Sequence, residues 1–137
     1  MKKTLLILIV LASSIYAREY KVIYNVTTSN EITVEKSLLN SIAVLKEHYK
    51  TQGDSLDAVV IISGGSYRYF RQDIKNNLYP KIVTLVESGV KFEVCSMGMK
   101  KRDITKVMLY PFVTPVFNRT ASLIEWQSRG YSLVNVE

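Results

Sequence analysis

The stretch DAVVIISGG, residues 57–65, decides the fold class of this chain. It is an almost unbroken apolar run that ends in two glycines. Strands of a parallel sheet covered on both faces read as such continuous runs, whereas half-exposed antiparallel strands alternate apolar and polar residues. We therefore predict that residues 57–63 form an inner strand of a parallel sheet with helices on both faces.

The segments on either side of this run alternate between strand and helix patterns. The predicted strands are residues 20–26, 57–63, 90–95, 111–117 and 131–136. The predicted helices run from a capping box at residues 28–31 to about residue 50, from 78 to 88, from 100 to 109, and from 118 to 129. Pro115 indicates that the fourth strand is an edge strand. The βαβαβαβαβ order predicts a single α/β domain with a mainly parallel sheet.

The N-terminal residues 1–17, MKKTLLILIVLASSIYA, have the layout of a cleavable secretory signal. Their apolar run is shorter than the ~20 residues of a membrane-spanning helix, so we expect no permanent membrane anchor. Residues 18–137 contain no linker or internal repeat and are expected to form one domain. We therefore expect an exported, periplasmic protein.

The positive charge of the chain is modest and spread out. The formal net charge is +6, and removal of Lys2 and Lys3 with the signal would lower it by two. Nucleic-acid binders concentrate such charge on one face, so we expect no nucleic-acid partner. The densest cluster, Lys100, Lys101 and Arg102, suits a small anion.

Cys95 is the only cysteine and the last residue of the predicted third strand. Chemistry in parallel sheets collects at the carboxyl ends of strands, so Cys95 is the candidate reactive residue. A helix N-terminus and nearby cations lower the pKa of a thiol from its free value of ~8.5, and the cluster 100–102 follows closely. The alternative interpretation is an inert, buried strand residue.

Two further candidate sites lie near the same rim. Backbone N–H groups of Gly64 and Gly65 are candidates to bind an anion, although two glycines after a strand more often form a tight turn. Cys95, Met97 and Met99 together form a soft sulfur array of the kind that binds Cu(I), although methionines more often fill gaps in packing. One histidine and one cysteine are too few for a zinc site.

Several aromatic residues fall in predicted loops, which is more than a monomer usually exposes. We therefore predict a homo-oligomer. The residues concerned are Tyr67, Tyr69, Phe70, Tyr110 and Phe112.

Taken together, three segments and the first strand with its long helix resemble the DsrE/DsrF-like sulfur-relay family over essentially all of residues 18–137. The segments are VVIISGG (59–65), LVESGVKFEVCSMGMKKRDI (85–104) and LIEWQSRGYSLV (123–134). The most specific features are the Gly-Val before the third strand, Cys95 at its end, and the basic pair before Ile104.

The resemblance implies a three-layer α/β/α domain of DsrEFH-like type, with sheet order 4-3-2-1-5 and assembly as a trimer or hexamer. It also implies that Cys95 carries sulfur as a persulfide, without cofactor or metal. The partner would be a small sulfur-containing anion or a sulfur donor or acceptor protein. Catalytic turnover as a sulfurtransferase stays open, and the alternative is an oligomeric binding module without transfer activity.

Overall fold

The computed structural model describes residues 16–137 and is built on a five-stranded sheet in which every neighbouring pair is parallel. The strands are β1 (Glu19–Val26), β2 (Ser55–Ile62), β3 (Lys91–Cys95), β4 (Val113–Val116) and β5 (Ser132–Val136). Their order across the sheet is β4-β3-β2-β1-β5. This confirms the α/β class, the order 4-3-2-1-5 and the edge position of the strand that contains Pro115. The predicted signal peptide lies outside the described residues, apart from Tyr16 and Ala17.

Four helices connect the strands. They are α1 (residues 31–51, with a π-helical segment at Val34–Asn40), α2 (Tyr79–Glu87), α3 (Ser96–Lys101) and α4 (Arg119–Ser128). Two short 3₁₀ helices, Gly64–Phe70 and Lys106–Met108, lie in the connections. Within residues 16–137 no helix is long and apolar enough to cross a membrane.

Two helix boundaries differ from the sequence prediction. Asn30 rather than Thr28 caps α1, because its side chain accepts a hydrogen bond from the Thr33 N–H at 3.0 Å. The helix predicted over 100–109 is wrong in position, since α3 begins directly after Cys95. It ends before Asp103, whose φ of 54° places the chain in the left-handed region and stops the helix.

Alternate residues of β2 face two different helical layers. Val60 and Ile62 belong to the main core, which contains the apolar faces of α1 and α2. Val59 and Ile61 pack on the opposite face, against residues of α4. Because both faces of the strand are covered, its sequence is apolar throughout. The domain therefore has the three-layer α/β/α architecture that the resemblance implied.

The aromatic segment after β2 is not an exposed loop, so this premise of the oligomer prediction is wrong. Residues Gly64–Phe70 form a 3₁₀ helix, and Tyr67, Tyr69 and Phe70 are all buried in the main core. Tyr110 and Phe112 are half-buried and stack on each other with ring centroids 5.3 Å apart. Assembly of the chain must therefore be argued from other residues.

Candidate functional site

Cys95 ends β3 at the carboxyl edge of the sheet and faces the α4 layer. Two residues earlier, Glu93 accepts hydrogen bonds from Ser122 and Trp126 of α4, at 2.5 and 3.0 Å. Side chains alternate along a strand, so Cys95 lies on that same face. The residue is free and only 8% exposed. Any reaction of its thiol must therefore take place through the adjoining cleft.

The cleft beside Cys95 has a volume of about 300 Å³. It lies between the carboxyl ends of β2 and β3, the start of α3 and the start of α4. Its lining consists of Ser63, Gly64, Tyr67, Cys95, Met97, Gly98, Lys101, Arg102, Asn118, Arg119 and Thr120. Of the predicted site residues, the structure thus brings together Cys95, Gly64, Lys101 and Arg102. Lys100 and Gly65 are exposed and do not line it.

The two glycines after β2 serve the turn into the 3₁₀ helix. Gly64 has a φ of +58°, and a Cβ there would lie 2.8 Å from the Thr27 carbonyl oxygen. The Gly65 N–H donates to that same oxygen at 2.9 Å. It is therefore engaged within the fold and is not directed at a ligand, while Gly64 remains part of the cleft wall.

Tyr67 fixes the backbone at Cys95 through a hydrogen bond. Its hydroxyl donates to the Cys95 carbonyl oxygen at 2.7 Å. Burial, reinforced by the neighbouring Cys95, raises the pKa of Tyr67 to about 12, so the phenol stays protonated as a donor at neutral pH. Gly98 makes this contact sterically possible, because a Cβ at that position would overlap the Tyr67 hydroxyl. Sequence analysis assigned Tyr67 to a loop and missed this role.

A basic rim surrounds the mouth of the cleft. We define it as Lys101, Arg102 and Arg119, which line the cleft from α3 and its C-terminus and from the start of α4. The guanidinium of Arg102 lies over the Tyr67 ring, 5.1 Å from its centroid, and this contact holds it beside the cleft. Three cations near one thiol favour negatively charged ligands.

Arg119 is the basic residue of the cleft that the charge cluster did not reveal, because it lies 24 positions after Cys95 in the sequence. Its position follows from the topology: β4 lies beside β3, so the helix after β4 begins next to the end of β3. The Asn118 side chain caps that helix by accepting from the Ala121 N–H at 2.7 Å. Strand order and the predicted Asn118 cap were the signals that could have found it.

The cleft does not assemble the three sulfur atoms considered for copper. Met97 lines it and accepts a hydrogen bond from the Asn118 amide to its Sδ at 3.7 Å. Met99 is instead buried in the main core. Met99 is therefore a packing residue of the core.

Ser63 follows β2 and lies beside Cys95. Ile62 pairs with Val94 in the parallel register, so the next residues on the two strands, Ser63 and Cys95, are neighbours. Ser63 is 7% exposed; its side chain faces the Ser66 N–H in a capping-box arrangement, and its hydroxyl hydrogen has no acceptor among the described residues. Sequence analysis treated this serine only as part of a turn.

The fold has counterparts among solved structures. A protein of unknown function from Methanobacterium thermoautotrophicum, MTH1491, superposes with a TM-score of 0.75 at 18% identity, covering 85% of this chain and 98% of its own. The ychN protein from E. coli superposes with a TM-score of 0.59 at 15% identity, again covering 85% and 98%. At these identities the likeness shows a shared fold.

No curated protein matches the sequence of this chain. The model of the DsrE/DsrF-like family, in contrast, matches residues 8–136, which is nearly the whole length. That match agrees with the sheet order and with the two superpositions. The chain belongs to the DsrE/DsrF-like family.

Proposed function

We propose that this protein carries sulfane sulfur as a persulfide on Cys95. The observation that carries the proposal is the position of its only thiol, at the carboxyl end of β3 and in a cleft with a basic rim of three residues. Membership of the DsrE/DsrF-like family supports a sulfur-relay role. The sulfur would come from a small sulfur-containing anion or a donor protein and pass to an acceptor.

Loading is a displacement at sulfur that needs no added oxidant. The Cys95 thiolate attacks a sulfane sulfur of a polysulfide, a new S–S bond forms to Sγ, and an S–S bond of the polysulfide breaks. The electron pair leaves with the shortened polysulfide, or with sulfite when thiosulfate is the donor. Unloading repeats the step, with an acceptor thiolate attacking the outer sulfur and the Cys95 thiolate as leaving group.

The basic rim serves this chemistry by attracting the anion. Polysulfide and thiosulfate each carry negative charge, and the positive potential of a cleft raises the local concentration of such ligands. Lys101, Arg102 and Arg119 lie around the entrance to Cys95. Their effect is expected to weaken as salt rises, because the Debye length falls to ~3 Å at 1 M.

The deciding experiment is the intact mass of reduced protein after incubation with polysulfide. Wild-type protein should gain about 32 Da for each sulfur atom held. Cys95→Ser provides a thiol-free control and should gain nothing, and alkylation with iodoacetamide beforehand should block the gain. The proposal fails if the wild-type thiol alkylates in the folded protein and yet takes up no sulfur.

Export and self-association are part of the proposal. The layout of residues 1–17 supports cleavage near Arg18 and a periplasmic location, which N-terminal sequencing of periplasmic protein would test. Assembly as a trimer or hexamer is supported by exposed apolar side chains, among them Val107, Phe117 and Ile124 at 80, 75 and 63% exposure. Light scattering at micromolar concentration tests it, and a monomer would contradict it.

The alternative function, an anion-binding module without sulfur transfer, is favoured by one observation. Cys95 is largely buried, which limits attack on large or bulky donors. Such a module would bind thiosulfate, measurable by calorimetry, without a gain in mass. The mass experiment therefore separates the two functions.

A further inference from the structure

The most unusual polar group at the cleft is the hydroxyl of Ser63. The side chain is buried and faces the Ser66 N–H in a capping-box arrangement, but its hydroxyl hydrogen has no acceptor among the described residues. A buried hydroxyl that donates no hydrogen bond costs folding free energy, since its hydrogen loses its bond to water and gains none in return. Such groups in native proteins call for a specific explanation.

The backbone of Ser63, in contrast, is fully bonded. Its N–H donates to the Val26 carbonyl oxygen at 3.0 Å, and its carbonyl oxygen accepts from the Ser66 N–H and hydroxyl at 3.2 and 2.6 Å. The backbone of the residue is thus held firmly, so its free hydroxyl hydrogen does not come from a loose segment.

The hydroxyl lies on the same face of the sheet as the Cys95 thiol. Ile61 packs against the α4 layer, and Ser63, two residues later in extended backbone with φ −157°, follows the same alternation. Ser63 and Cys95 are neighbours across adjacent strands, which lie ~4.8 Å apart in a sheet. Both residues line the cleft.

We propose that the Ser63 hydroxyl donates a hydrogen bond to the sulfur at Cys95. In the unloaded protein the acceptor is the Sγ thiolate, and in the loaded protein it is the charged outer sulfur of the persulfide. The second half of this statement rests on the function proposed above, whereas the first half concerns the thiol alone. Hydrogen bonds to a charged acceptor are stronger than those to a neutral one, so the bond favours the anionic form of sulfur in both states.

Other groups also face Cys95 and act on its charge. They are Lys101 and Arg102 from α3 and its C-terminus, Arg119 from α4, and Tyr67 from the 3₁₀ helix. All of them are retained when Ser63 is changed. A comparison between variants of Ser63 therefore isolates the hydroxyl.

The test is the pH dependence of iodoacetamide alkylation of Cys95 in the folded protein. Ser63→Ala should raise the midpoint by about one pH unit, which is a tenfold smaller thiolate fraction at neutral pH. Ser63→Thr keeps the hydroxyl, so its alkylation midpoint should lie close to that of the wild type. The matched control is Ser122→Ala, which removes another buried serine hydroxyl on the same face, one that bonds to Glu93 instead. It should leave the midpoint unchanged.

Stability gives an independent readout. Ser63→Ala loses its capping-box acceptor and Ser122→Ala loses its hydrogen bond to Glu93, so both variants should melt slightly lower. Only Ser63→Ala should combine this loss with a raised alkylation midpoint, and Ser63→Thr should restore both. An unchanged midpoint in Ser63→Ala, or a midpoint shift accompanied by a lower melting temperature that Ser63→Thr does not restore, would overturn the proposal.

The sulfur-carrier function fails separately. If wild-type protein takes up polysulfide sulfur but Ser63→Ala has the wild-type alkylation midpoint, only the role of Ser63 is wrong. If wild-type protein takes up no sulfur, the carrier function is wrong, and the alkylation midpoints still report whether Ser63 donates to the thiolate.

Discussion

The contact between Gly98 and Tyr67 leads to a prediction that can be worked out in energy. A Cβ at position 98 would overlap the Tyr67 hydroxyl, so Gly98→Ala must displace the ring. The displaced hydroxyl would no longer donate to the Cys95 carbonyl oxygen, and loss of this hydrogen bond costs ~1 kcal/mol. Overpacking adds ~1–3 kcal/mol, and the better helix propensity of alanine returns ~1 kcal/mol. We expect a net loss of roughly 2 kcal/mol in the free energy of unfolding.

The same substitution should cost almost nothing when the hydroxyl is already absent. Tyr67→Phe alone should cost ~1 kcal/mol through the lost hydrogen bond. In that background the new Cβ would meet ring carbons 3.0 and 3.3 Å away, which a small shift relieves. We therefore expect a coupling energy of ~2 kcal/mol between the two positions.

Urea unfolding followed by circular dichroism measures all four proteins of this cycle. Tyr69→Phe is the matched control, since its hydroxyl donates to the Ser29 carbonyl oxygen, away from position 98. In the Tyr69→Phe background, Gly98→Ala should lower the free energy of unfolding by as much as it does in the wild type. Equal costs of Gly98→Ala with and without the Tyr67 hydroxyl would refute the steric argument.

Three further measurements address the site and its supports. Burial raises the pKa of Tyr67 and the pKa of Tyr131 to about 12 in each case. The contribution of each neutral phenol to the free energy of unfolding should therefore be complete below pH 10 and be lost as pH rises from 10 to 12. In Tyr67→Phe and Tyr131→Phe, the free energy of unfolding should fall less over that pH range. Arg119→Ala should slow polysulfide uptake several-fold at low salt and little at 1 M salt, and an equal effect at both would contradict electrostatic attraction. Asn118→Ala should lower the free energy of unfolding by ~1 kcal/mol through loss of the α4 cap, measured by urea unfolding, whereas Asn118→Asp should retain most of it.

The sequence was sufficient for the sheet because its information there is local. The unbroken apolar run of β2 indicates that the strand is buried on both faces. The glycine before β3 marks the end of the preceding helix, and Pro115 indicates that β4 lacks a hydrogen-bonded neighbour on one side. The same holds for Cys95 as the candidate thiol, since strand ends gather at one rim. Strand order was available through the family resemblance.

The site as a whole was less predictable because it depends on contacts distant in sequence. Tyr67 was assigned to a loop since its segment is polar, aromatic and basic, yet packing against the core converts that segment into a buried 3₁₀ helix. Lys100 was included with its neighbours, but the short turn of α3 directs only Lys101 and Arg102 to the cleft. Serine is common in turns, so nothing in the sequence distinguished Ser63.

The position of β1 between β2 and β5 also has a consequence for the time course of folding. β5 completes the described sheet by pairing with β1, and the hydrogen bond between Asn25 and Asn135 joins residues 110 positions apart. Contacts of such long range form slowly, because a long loop must close before they give any stabilisation. During synthesis this edge of β1 therefore stays unpaired until β5 has been made.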